Sequence, residues 1–241
     1  MNCKSMKNVL ITGASSGIGF AMAKAFLREG YFVFAHFHNN LNELESIESD
    51  SILKLKAELS DMSEADKLFE ECLKARGSVD VLINNAGTYY AEELESVQEE
   101  VFDHIFNVNL KAPFRLSQLA LASMKKNKWG RIINISSIGV KYGGSPNSAL
   151  YSMTKSAMEA MTRSFAKAGA PYNVLVNCLR PGVVGTKLHL KDSGKNMEQR
   201  AKMIPLGRLA QPEEIAETAL FVASGKSSFT TGAILDISGG E

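Results

Sequence analysis

The chain contains 241 residues, of which 27 are basic and 26 are acidic, so its formal net charge at pH 7 is +1. This near balance, without a run of like charges, argues against a nucleic-acid or anionic-membrane partner. No Pro-, Gly- or Ser-rich linker interrupts the sequence, and we expect residues 1–241 to form a single domain with a substantial core.

The cysteines and the N-terminal sequence indicate a reducing compartment. Cys3, Cys72 and Cys178 are odd in number and form no Cys-x-x-Cys pair, so we expect neither a disulfide framework nor a metal site. The N-terminus passes from a short polar stretch into a strand-like segment, and no apolar run reaches about 18 residues. We therefore expect a cytoplasmic protein with no export signal and no membrane anchor.

Short apolar or β-branched segments alternate with longer segments of helical periodicity along the chain. Because the apolar segments are nearly continuous, both faces of their sheet are expected to be covered. The pattern predicts an α/β fold in which a doubly wound parallel sheet of about seven strands carries helices on both faces. The predicted strands are Val9–Ile11, Tyr31–Phe37, Ile52–Leu59, Val79–Ile83, Arg131–Ile135, Val174–Cys178 and Ala233–Ile237. The predicted helices are Ile18–Arg28, Ser63–Ala75, Val97–Lys126, Ser148–Ala168 and Pro212–Ser224.

A glycine-rich turn connects the first predicted strand to the first predicted helix, and it reads TGASSGIG over Thr12–Gly19. Small residues let the backbone turn tightly and bring its N–H groups close to a pyrophosphate, with the helix N-terminus behind that charge. Glycines also simply end strands, but here strand, turn and helix follow in the order that dinucleotide binding requires. The turn therefore predicts a Rossmann-type nucleotide site.

The end of the second predicted strand reads His36-Phe37-His38-Asn39-Asn40. A protein that selects NAD usually places an Asp or Glu here, against the ribose hydroxyls of the adenosine. This segment has no carboxylate to repel a 2′-phosphate, and His38 and Asn39 offer donors to it, although such residues are often just solvated. The segment predicts NADP(H) as the preferred cofactor and leaves NAD(H) as an alternative.

Tyr151 and Lys155 share one face of a predicted helix, because they are spaced at i and i+4. An unperturbed tyrosine has a pKa near 10, and a nearby cation lowers that pKa by favouring the phenolate. The pair can therefore serve as an acid and base, although the same spacing also occurs by chance on helix surfaces.

Further motifs accompany this pair in a fixed order. They are Asn84-Asn85-Ala86-Gly87, the Asn109 of Asn107-Val108-Asn109, the Ser137 of Asn134-Ile135-Ser136-Ser137, and Pro181-Gly182-Val183-Val184-Gly185-Thr186. Together with the glycine turn, they resemble the short-chain dehydrogenase/reductase family over essentially the whole chain. The segment from Pro205-Leu206-Gly207-Arg208 to Ser238-Gly239-Gly240 is similar to the 3-oxoacyl-[acyl-carrier-protein] reductase branch, which acts in fatty acid biosynthesis.

The resemblance implies a role for each polar residue of these motifs. Tyr151 is expected to act as the general acid on a carbonyl oxygen, and Ser137 to hydrogen-bond that oxygen. Lys155 is expected to hold the nicotinamide ribose and to lower the pKa of Tyr151. Asn109 is expected to bind a water that connects Lys155 to solvent, with the capping of a helix kink as the alternative.

The resemblance also implies the contacts of the cofactor. At the end of the third strand the family usually has Asp, whereas this chain has Glu58, so adenine contact there is expected to be looser or to depend on the Leu59 backbone. The expected contacts are Gly13, Ser15, Ser16, Ile18, His38, Asn39, Glu58, Leu59, Asn85, Ala86, Gly87, Tyr151, Lys155, Pro181, Gly182, Val184 and Thr186.

The substrate pocket is indicated by position in the chain. In this family a segment that corresponds to Lys187–Ile204 covers the substrate, and Tyr89, Tyr90 and Tyr142 follow two of the motifs closely enough to line the pocket. His104 has no partner in sequence, and we do not expect it to be a ligand.

The expected function is the NADPH-dependent reduction of a 3-oxoacyl thioester or a related small ketone. One alternative is a dehydrogenase for another secondary alcohol, a sugar or a polyol. Another is a binding protein that senses NADP without turnover, although such a protein has no need of Ser137, Tyr151 and Lys155. The resemblance further implies a homotetramer in which Val97–Lys126 and Ser148–Ala168 pack across one two-fold axis and the C-terminal strand across another.

An acyl carrier protein is a possible partner, and its acidic surface needs a basic docking patch at the mouth of the active site. By resemblance, basic residues are expected just before the fifth strand and again just before the sixth. The first region has Lys125, Lys126, Lys128 and Arg131, but the second reads Ala170-Pro171-Tyr172-Asn173. With half of the patch missing, we expect small free or coenzyme-A-linked ketones to be reduced at least as well as carrier-linked ones.

Overall fold

The computed structural model describes residues 6–186 and 197–241. The strands in these residues are β1 Asn8–Ile11, β2 Phe32–Phe37, β3 Ile52–Lys56, β4 Val81–Asn84, β5 Gly130–Ile135, β6 Val174–Pro181 and β7 Ile234–Ile237. The seven strands form one parallel sheet in the order β3-β2-β1-β4-β5-β6-β7. The order reverses between β1 and β4, and in such sheets ligands bind beyond the carboxyl ends of the strands at this switch point.

Helices cover both faces of the sheet. The described helices are α1 Gly17–Arg28, α2 Met62–Arg76, α3 Glu99–Phe106, α4 Ala112–Asn127, α5 Gly139–Tyr142, α6 Ala149–Gly169, α7 Met197–Met203 and α8 Pro212–Ala223. Helices α1 and α8 pack on one face, while α2, α4 and α6 pack on the other. The predicted doubly wound, single-sheet α/β fold is thus confirmed.

The central strands are apolar at every position because each face of the sheet has its own core. In β1, Leu10 points towards the helices α2, α4 and α6, whereas Val9 and Ile11 point towards α1 and α8. All three side chains are fully buried. The nearly continuous apolar strands of the sequence therefore reflect two cores that share one sheet.

The prediction of one uninterrupted helix over Val97–Lys126 is wrong in its middle. Helix α3 ends at Phe106, a π-helical segment follows over Asn107–Lys111, and α4 begins at Ala112. A π-helical turn holds one residue more than an α-helical turn, and such segments occur frequently at functional sites. Here the segment carries Asn109, whose side chain is buried and bonded to another part of the chain.

We expect Leu10→Ala to lower the free energy of unfolding by roughly 3–5 kcal/mol, because it leaves a cavity in a fully buried strand. Leu94→Ala is the matched control, since Leu94 is 49% exposed and its loss should cost less than about 1 kcal/mol. Urea unfolding of the two variants measures both values. Similar losses for both would contradict this assignment of the core.

Candidate active site at the carboxyl edge of the sheet

A cleft of about 540 Å³ lies beyond the carboxyl ends of the strands, on both sides of the switch point. One wall is the glycine turn, and the opposite wall comprises the end of β5, the helix α6 and the end of β6. The cleft brings together most of the residues that the sequence motifs indicated, from Gly13 to Thr186.

The conformation of the glycine turn disfavours or excludes side chains at its three glycine positions. Gly13 and Gly17 have φ values of 65° and 55°, in the left-handed region that favours glycine. A Cβ atom on Gly19 would lie 2.1 Å from the carbonyl oxygen of Gly13, so α1 approaches the turn backbone to backbone. The first residues of α1 line the cleft, so the positive end of the helix faces it. The first turn contains no acidic residue that would offset this charge. This cradle fits the pyrophosphate of a dinucleotide.

Residues from neighbouring strands hold the turn in place. The Asn85 side-chain amide donates hydrogen bonds to the carbonyls of Thr12 (2.9 Å) and Gly13 (3.1 Å). The Thr12 hydroxyl accepts hydrogen bonds from the backbone N–H groups of Asn85 and Ala86, both at 3.0 Å. The Asn85 side chain is thereby committed to the turn, although Asn85, Ala86 and Gly87 all line the cleft.

His38 and Glu58 meet at the end of the cleft beside the second and third strands. His38 Nε2 lies 2.6 Å from Glu58 Oε2, and both side chains are partly exposed. Burial alone would raise the pKa of Glu58, but hydrogen bonds from Ser60 and the charges of His38 and His104 outweigh it, so the pKa is lowered. Glu58 therefore brings an ionised carboxylate to the part of the cleft beside residues 36–40, which contain no carboxylate themselves. The sequence did not indicate this contact between His38 and Glu58.

Of the other residues expected at the adenosine, only some line the cleft. Leu59 lines the cleft, whereas Asn39 is exposed and does not line it. His104 also lines the cleft, with its ring edge-on to Tyr90 at a centroid distance of 5.9 Å. No sequence pattern indicates this position of His104, because its ring contact with Tyr90 joins two separate segments of the chain.

Tyr151 and Lys155 project from α6 into the other end of the cleft. Lys155 is 2% exposed, its Nζ donates a 2.8 Å hydrogen bond to the carbonyl of Ile135, and burial lowers its pKa to about 8. Burial raises the pKa of Tyr151 to about 12, although a hydrogen bond with Ser137 acts in the opposite direction. The net shift for Tyr151 is thus opposite to the lowering by Lys155 that we expected from sequence.

Ser137 and the segment after β6 complete this end of the cleft. Ser137 is the second residue after β5, and its Oγ accepts a 3.2 Å hydrogen bond from the backbone N–H of Gly139. Pro181, Gly182, Val184 and Thr186 line the same end. Ser137, Tyr151 and Lys155 therefore converge on one surface, with the residues expected at the nicotinamide beside them.

Asn109 does not line the cleft. Its Oδ1 accepts a 2.8 Å hydrogen bond from the Thr88 backbone N–H, and its Nδ2 donates a 2.9 Å hydrogen bond to the Thr88 carbonyl. A Cβ atom on Gly87 would lie 3.4 Å from Asn109 Oδ1 and 3.5 Å from Lys155 Nζ, so both side chains approach the same glycine. The side chain of Asn109 therefore connects the π-helical segment to the loop after β4, beside Lys155.

Comparison with known proteins places this geometry in a family. The sequence model described as enoyl-(acyl carrier protein) reductase matches residues 13–241. The 3-oxoacyl-[acyl-carrier-protein] reductase FabG of Thermotoga maritima is 36% identical over 239 residues, which cover 97% of each chain. The chain belongs to the short-chain dehydrogenase/reductase family. It is therefore an NAD(P)-dependent oxidoreductase, and the fold, the cofactor class and the family expected from sequence are confirmed.

Other relatives of this short-chain dehydrogenase/reductase differ in the substrates that their names give. A hydroxynaphthalene reductase-like protein of Metarhizium robertsii is 32% identical, over 97% of this chain and 94% of the relative. A solved 3-ketoacyl-(acyl-carrier-protein) reductase from Brucella melitensis, complexed with NADH, has a TM-score of 0.88 and 32% identity, with 97% of each chain covered. The angucycline C-6 ketoreductase LanV with bound NADP has a TM-score of 0.87 and 35% identity, over 97% of this chain and 95% of LanV.

The substrate side of the reductase is described in part. Within Lys187–Ile204, residues 187–196 lie outside the described residues, and Met197–Met203 forms α7. Tyr89 and Tyr90 line the cleft, and the Tyr89 ring lies edge-on to Tyr151 at 5.7 Å. Tyr142 is 63% exposed and is not among the lining residues.

Within the described ranges, 6–186 and 197–241, neither a metal-binding cluster nor a membrane-spanning helix is present. No group of three or more His, Cys, Asp or Glu side chains in these ranges has an arrangement that could hold a metal ion. None of the helices in the same ranges combines the length and apolar character needed to cross a membrane.

His36 lies under the glycine turn and is 2% exposed. Its Nδ1 accepts a 3.0 Å hydrogen bond from the Gly13 backbone N–H, and its Nε2 lies 3.1 Å from the Ala57 carbonyl, which can only accept. Both nitrogens are satisfied by the neutral Nε2–H tautomer. Burial lowers the pKa of His36 to about 4, so His36 is neutral at pH 7, and its one N–H is already donated to the carbonyl of Ala57.

We expect the free energy of unfolding to fall as the pH drops from about 6.5 to about 4. In this window His36 binds a proton in the unfolded chain but not in the folded chain, so acid favours unfolding. The full effect is on the order of 3 kcal/mol. His36→Gln lacks the titrating group. Urea unfolding should therefore show that the gap in free energy of unfolding between wild type and variant becomes smaller towards pH 4. A gap that stays constant would contradict the assignment of a neutral, bonded His36.

Proposed function

We propose that this protein is an NADPH-dependent carbonyl reductase that acts on a 3-oxoacyl thioester or a related small ketone. The observation that carries the proposal is the convergence of Ser137, Tyr151 and Lys155 at one end of a cleft whose other end is the glycine cradle. The family relationship and the reductase names of several relatives support the reductive direction.

The protonation states suit the roles proposed for the three residues. With a pKa raised to about 12, Tyr151 holds its proton at neutral pH and can donate it to a carbonyl oxygen. Ser137 is placed to hydrogen-bond the same oxygen as negative charge develops on it. With a pKa of about 8, Lys155 is mostly cationic at pH 7, and its Nζ lies 5.5 Å from the centroid of the Tyr151 ring.

The glycine cradle and the residues after β6 would hold the cofactor between them. The turn and α1 would bind its pyrophosphate, Lys155 its nicotinamide ribose, and Pro181, Gly182, Val184 and Thr186 its nicotinamide. When bound, the cofactor supplies the hydride, while the chain positions the ketone and provides the proton.

We expect Tyr151→Phe to cut kcat for ketone reduction by at least about 100-fold, because it removes the general acid. Its cofactor affinity, measured by fluorescence titration with NADPH, should stay close to that of wild type. Lys155→Ala should lower both kcat and cofactor affinity, since Lys155 has the additional ribose contact. A Tyr151→Phe turnover within a few-fold of wild type would exclude Tyr151 as the acid.

The preference for NADPH follows from the segment 36–40, which supplies no carboxylate at the adenosine ribose. The His38–Glu58 pair complicates this argument, because it brings one carboxylate to the same end of the cleft. We propose that His38 faces the 2′-phosphate and that Glu58 reduces the preference without reversing it.

We therefore expect kcat/KM to be higher with NADPH than with NADH, and Glu58→Gln to increase that ratio by removing negative charge near the phosphate. Phe37→Asp should shift the ratio towards NADH by placing a carboxylate against the 2′-phosphate. Initial rates with both cofactors measure the ratios. A tenfold wild-type preference for NADH, about 1.4 kcal/mol, would refute the proposal.

The basic residues near β5 bear on the carrier question. Lys125, Lys126 and Lys128 lie before the amino end of β5, whereas Ser137 lies beyond its carboxyl end, roughly 20 Å away along a strand of this length. Arg131 is 2% exposed and bonded to the carbonyls of Gly130 and Asn173, so its assignment to the basic patch is wrong. Within one chain, the expected patch is therefore smaller than predicted and distant from the cleft.

We expect acetoacetyl-coenzyme A to be reduced at least as well as acetoacetyl carrier protein, with weak dependence of kcat/KM on ionic strength. A docking surface limited to a few exposed lysines provides little electrostatic steering. Initial rates on both substrates at low and high salt test this. A carrier preference above about a hundredfold, roughly 2.7 kcal/mol, that disappears with added salt would show that the lysines suffice.

We also propose a homotetramer located in the cytoplasm. Exposed aromatic side chains on the α3–α4 stretch support the proposed helix interface, with Phe102 at 41% and Phe114 at 44% exposure. Phe102 stacks on Phe106 at a centroid distance of 4.3 Å, which gives this surface a flat apolar area. Such a surface is suited to a two-fold symmetric contact between copies of the chain.

A further inference from the structure

Glu159 is a buried carboxylate that the proposed reaction does not use. It lies on α6 one turn after Lys155 and is 5% exposed. Its Oε1 accepts hydrogen bonds from Ser136 Oγ at 2.7 Å and from Arg180 Nε at 2.9 Å. Its Oε2 accepts a 2.7 Å hydrogen bond from Arg180 Nη2. The carboxylate is thus held by three charge-assisted or short hydrogen bonds at once.

The partners of Glu159 belong to the elements that carry the proposed reacting groups. Ser136 immediately precedes Ser137 at the end of β5, and Arg180 immediately precedes Pro181 on β6. Glu159 itself shares α6 with Tyr151 and Lys155. A single carboxylate therefore connects β5, α6 and β6 directly behind the cleft.

A second set of contacts extends this network to the other side of Ser137. Arg180 Nη1 donates a 2.8 Å hydrogen bond to Asp236 Oδ1 on β7, and Asp236 Oδ2 lies 2.7 Å from Lys141 Nζ. Lys141 belongs to α5, which begins two residues after Ser137. Ser137 thus lies between Ser136 and Lys141 in sequence. Ser136 is connected to Arg180 through Glu159, and Lys141 is connected to Arg180 through Asp236.

The energetics of buried ion pairs indicate what such a network contributes. The desolvation of two charges largely offsets their attraction, so replacement of a buried pair by apolar residues often leaves stability unchanged. What the pair does impose is geometry, because the two bonds between Glu159 and Arg180 fix a direction as well as a distance. A misplacement of about 1 Å in reacting groups can cost about 100-fold in rate.

We propose that the Glu159–Arg180 ion pair, together with Ser136 and Asp236, is a positioning network that sets the placement of Ser137 relative to Tyr151. This inference rests on the proposed function, in which both residues contact the carbonyl oxygen. None of the network residues is required to contact that oxygen, and their effect on the rate is exerted through the elements that they hold.

The test replaces the pair by apolar residues of similar size in the variant Glu159→Leu/Arg180→Met, which leaves no unpaired partner within the pair. The control is Asp66→Leu/Arg115→Met, because Arg115 also binds its carboxylate through two bonds, at 2.6 and 3.1 Å, but between α2 and α4. We expect kcat for ketone reduction to fall at least tenfold in the first variant and less than twofold in the control. KM for NADPH should change less than threefold in both.

A spectroscopic readout makes the test independent of turnover. In protein labelled with [¹³C]tyrosine, the Cζ resonance of Tyr151 is the one that is missing from Tyr151→Phe, and it reports the hydrogen bond with Ser137. This resonance should move in Glu159→Leu/Arg180→Met towards its position in Ser137→Ala. It should stay in place in Asp66→Leu/Arg115→Met. Ser136→Ala, a minimal change that removes one bond to Glu159, should show the same direction of shift and a smaller loss of kcat.

The outcomes separate the two proposals. If wild type reduces no ketone but the resonance moves as expected, the network stands and the proposed function fails. If wild type reduces ketones and the resonance and kcat of Glu159→Leu/Arg180→Met match the control, the positioning role is overturned. A loss of kcat without a shifted resonance also overturns it. If the double variant does not fold, Ser136→Ala decides by the same two measurements.

Discussion

The contact between Gly13 and Gly19 is the constraint on which the cleft depends. Because α1 meets the turn after β1 with no side chain between them, the N-terminus of the helix reaches the edge of the sheet. Gly13 also contacts two other strands, since its N–H bonds to His36, the penultimate residue of β2, and its carbonyl bonds to Asn85 after β4. The positions of three strand ends are therefore set by one residue that has no side chain.

Burial, more than direct charge contacts, sets the electrostatics at the opposite end of the cleft. It disfavours the charged form of any group, so it raises the pKa of Tyr151 and lowers that of Lys155. The usual order in which the two groups lose their protons is reversed, because Lys155 now loses its proton several pH units below Tyr151. Near neutral pH the pair consists of a protonated phenol and a cation, which agrees with the proposed reduction of a carbonyl.

The sequence predicted those features that depend on local pattern and on recognised motifs. Strand and helix periodicity, the glycine turn and the i, i+4 spacing of Tyr151 and Lys155 are each visible within a few residues. The features that it missed come from contacts between distant segments, such as His38 with Glu58 and Glu159 with Arg180. Periodicity indicates which face of an element is buried, but it does not indicate which polar groups meet there. The π-helical segment 107–111 was missed for the same reason, since its Asn109 is bonded to Thr88.

Tyr151, Lys155 and Glu159 follow one another at intervals of four residues along the 21-residue helix α6, so they form one stripe on a rigid rod. A single inserted or deleted residue within this stripe would rotate its far part by about 100° and move Tyr151 away from Lys155 or from Glu159. We therefore expect insertions and deletions among relatives to fall in the loops at the rim of the cleft and not within this stripe of α6.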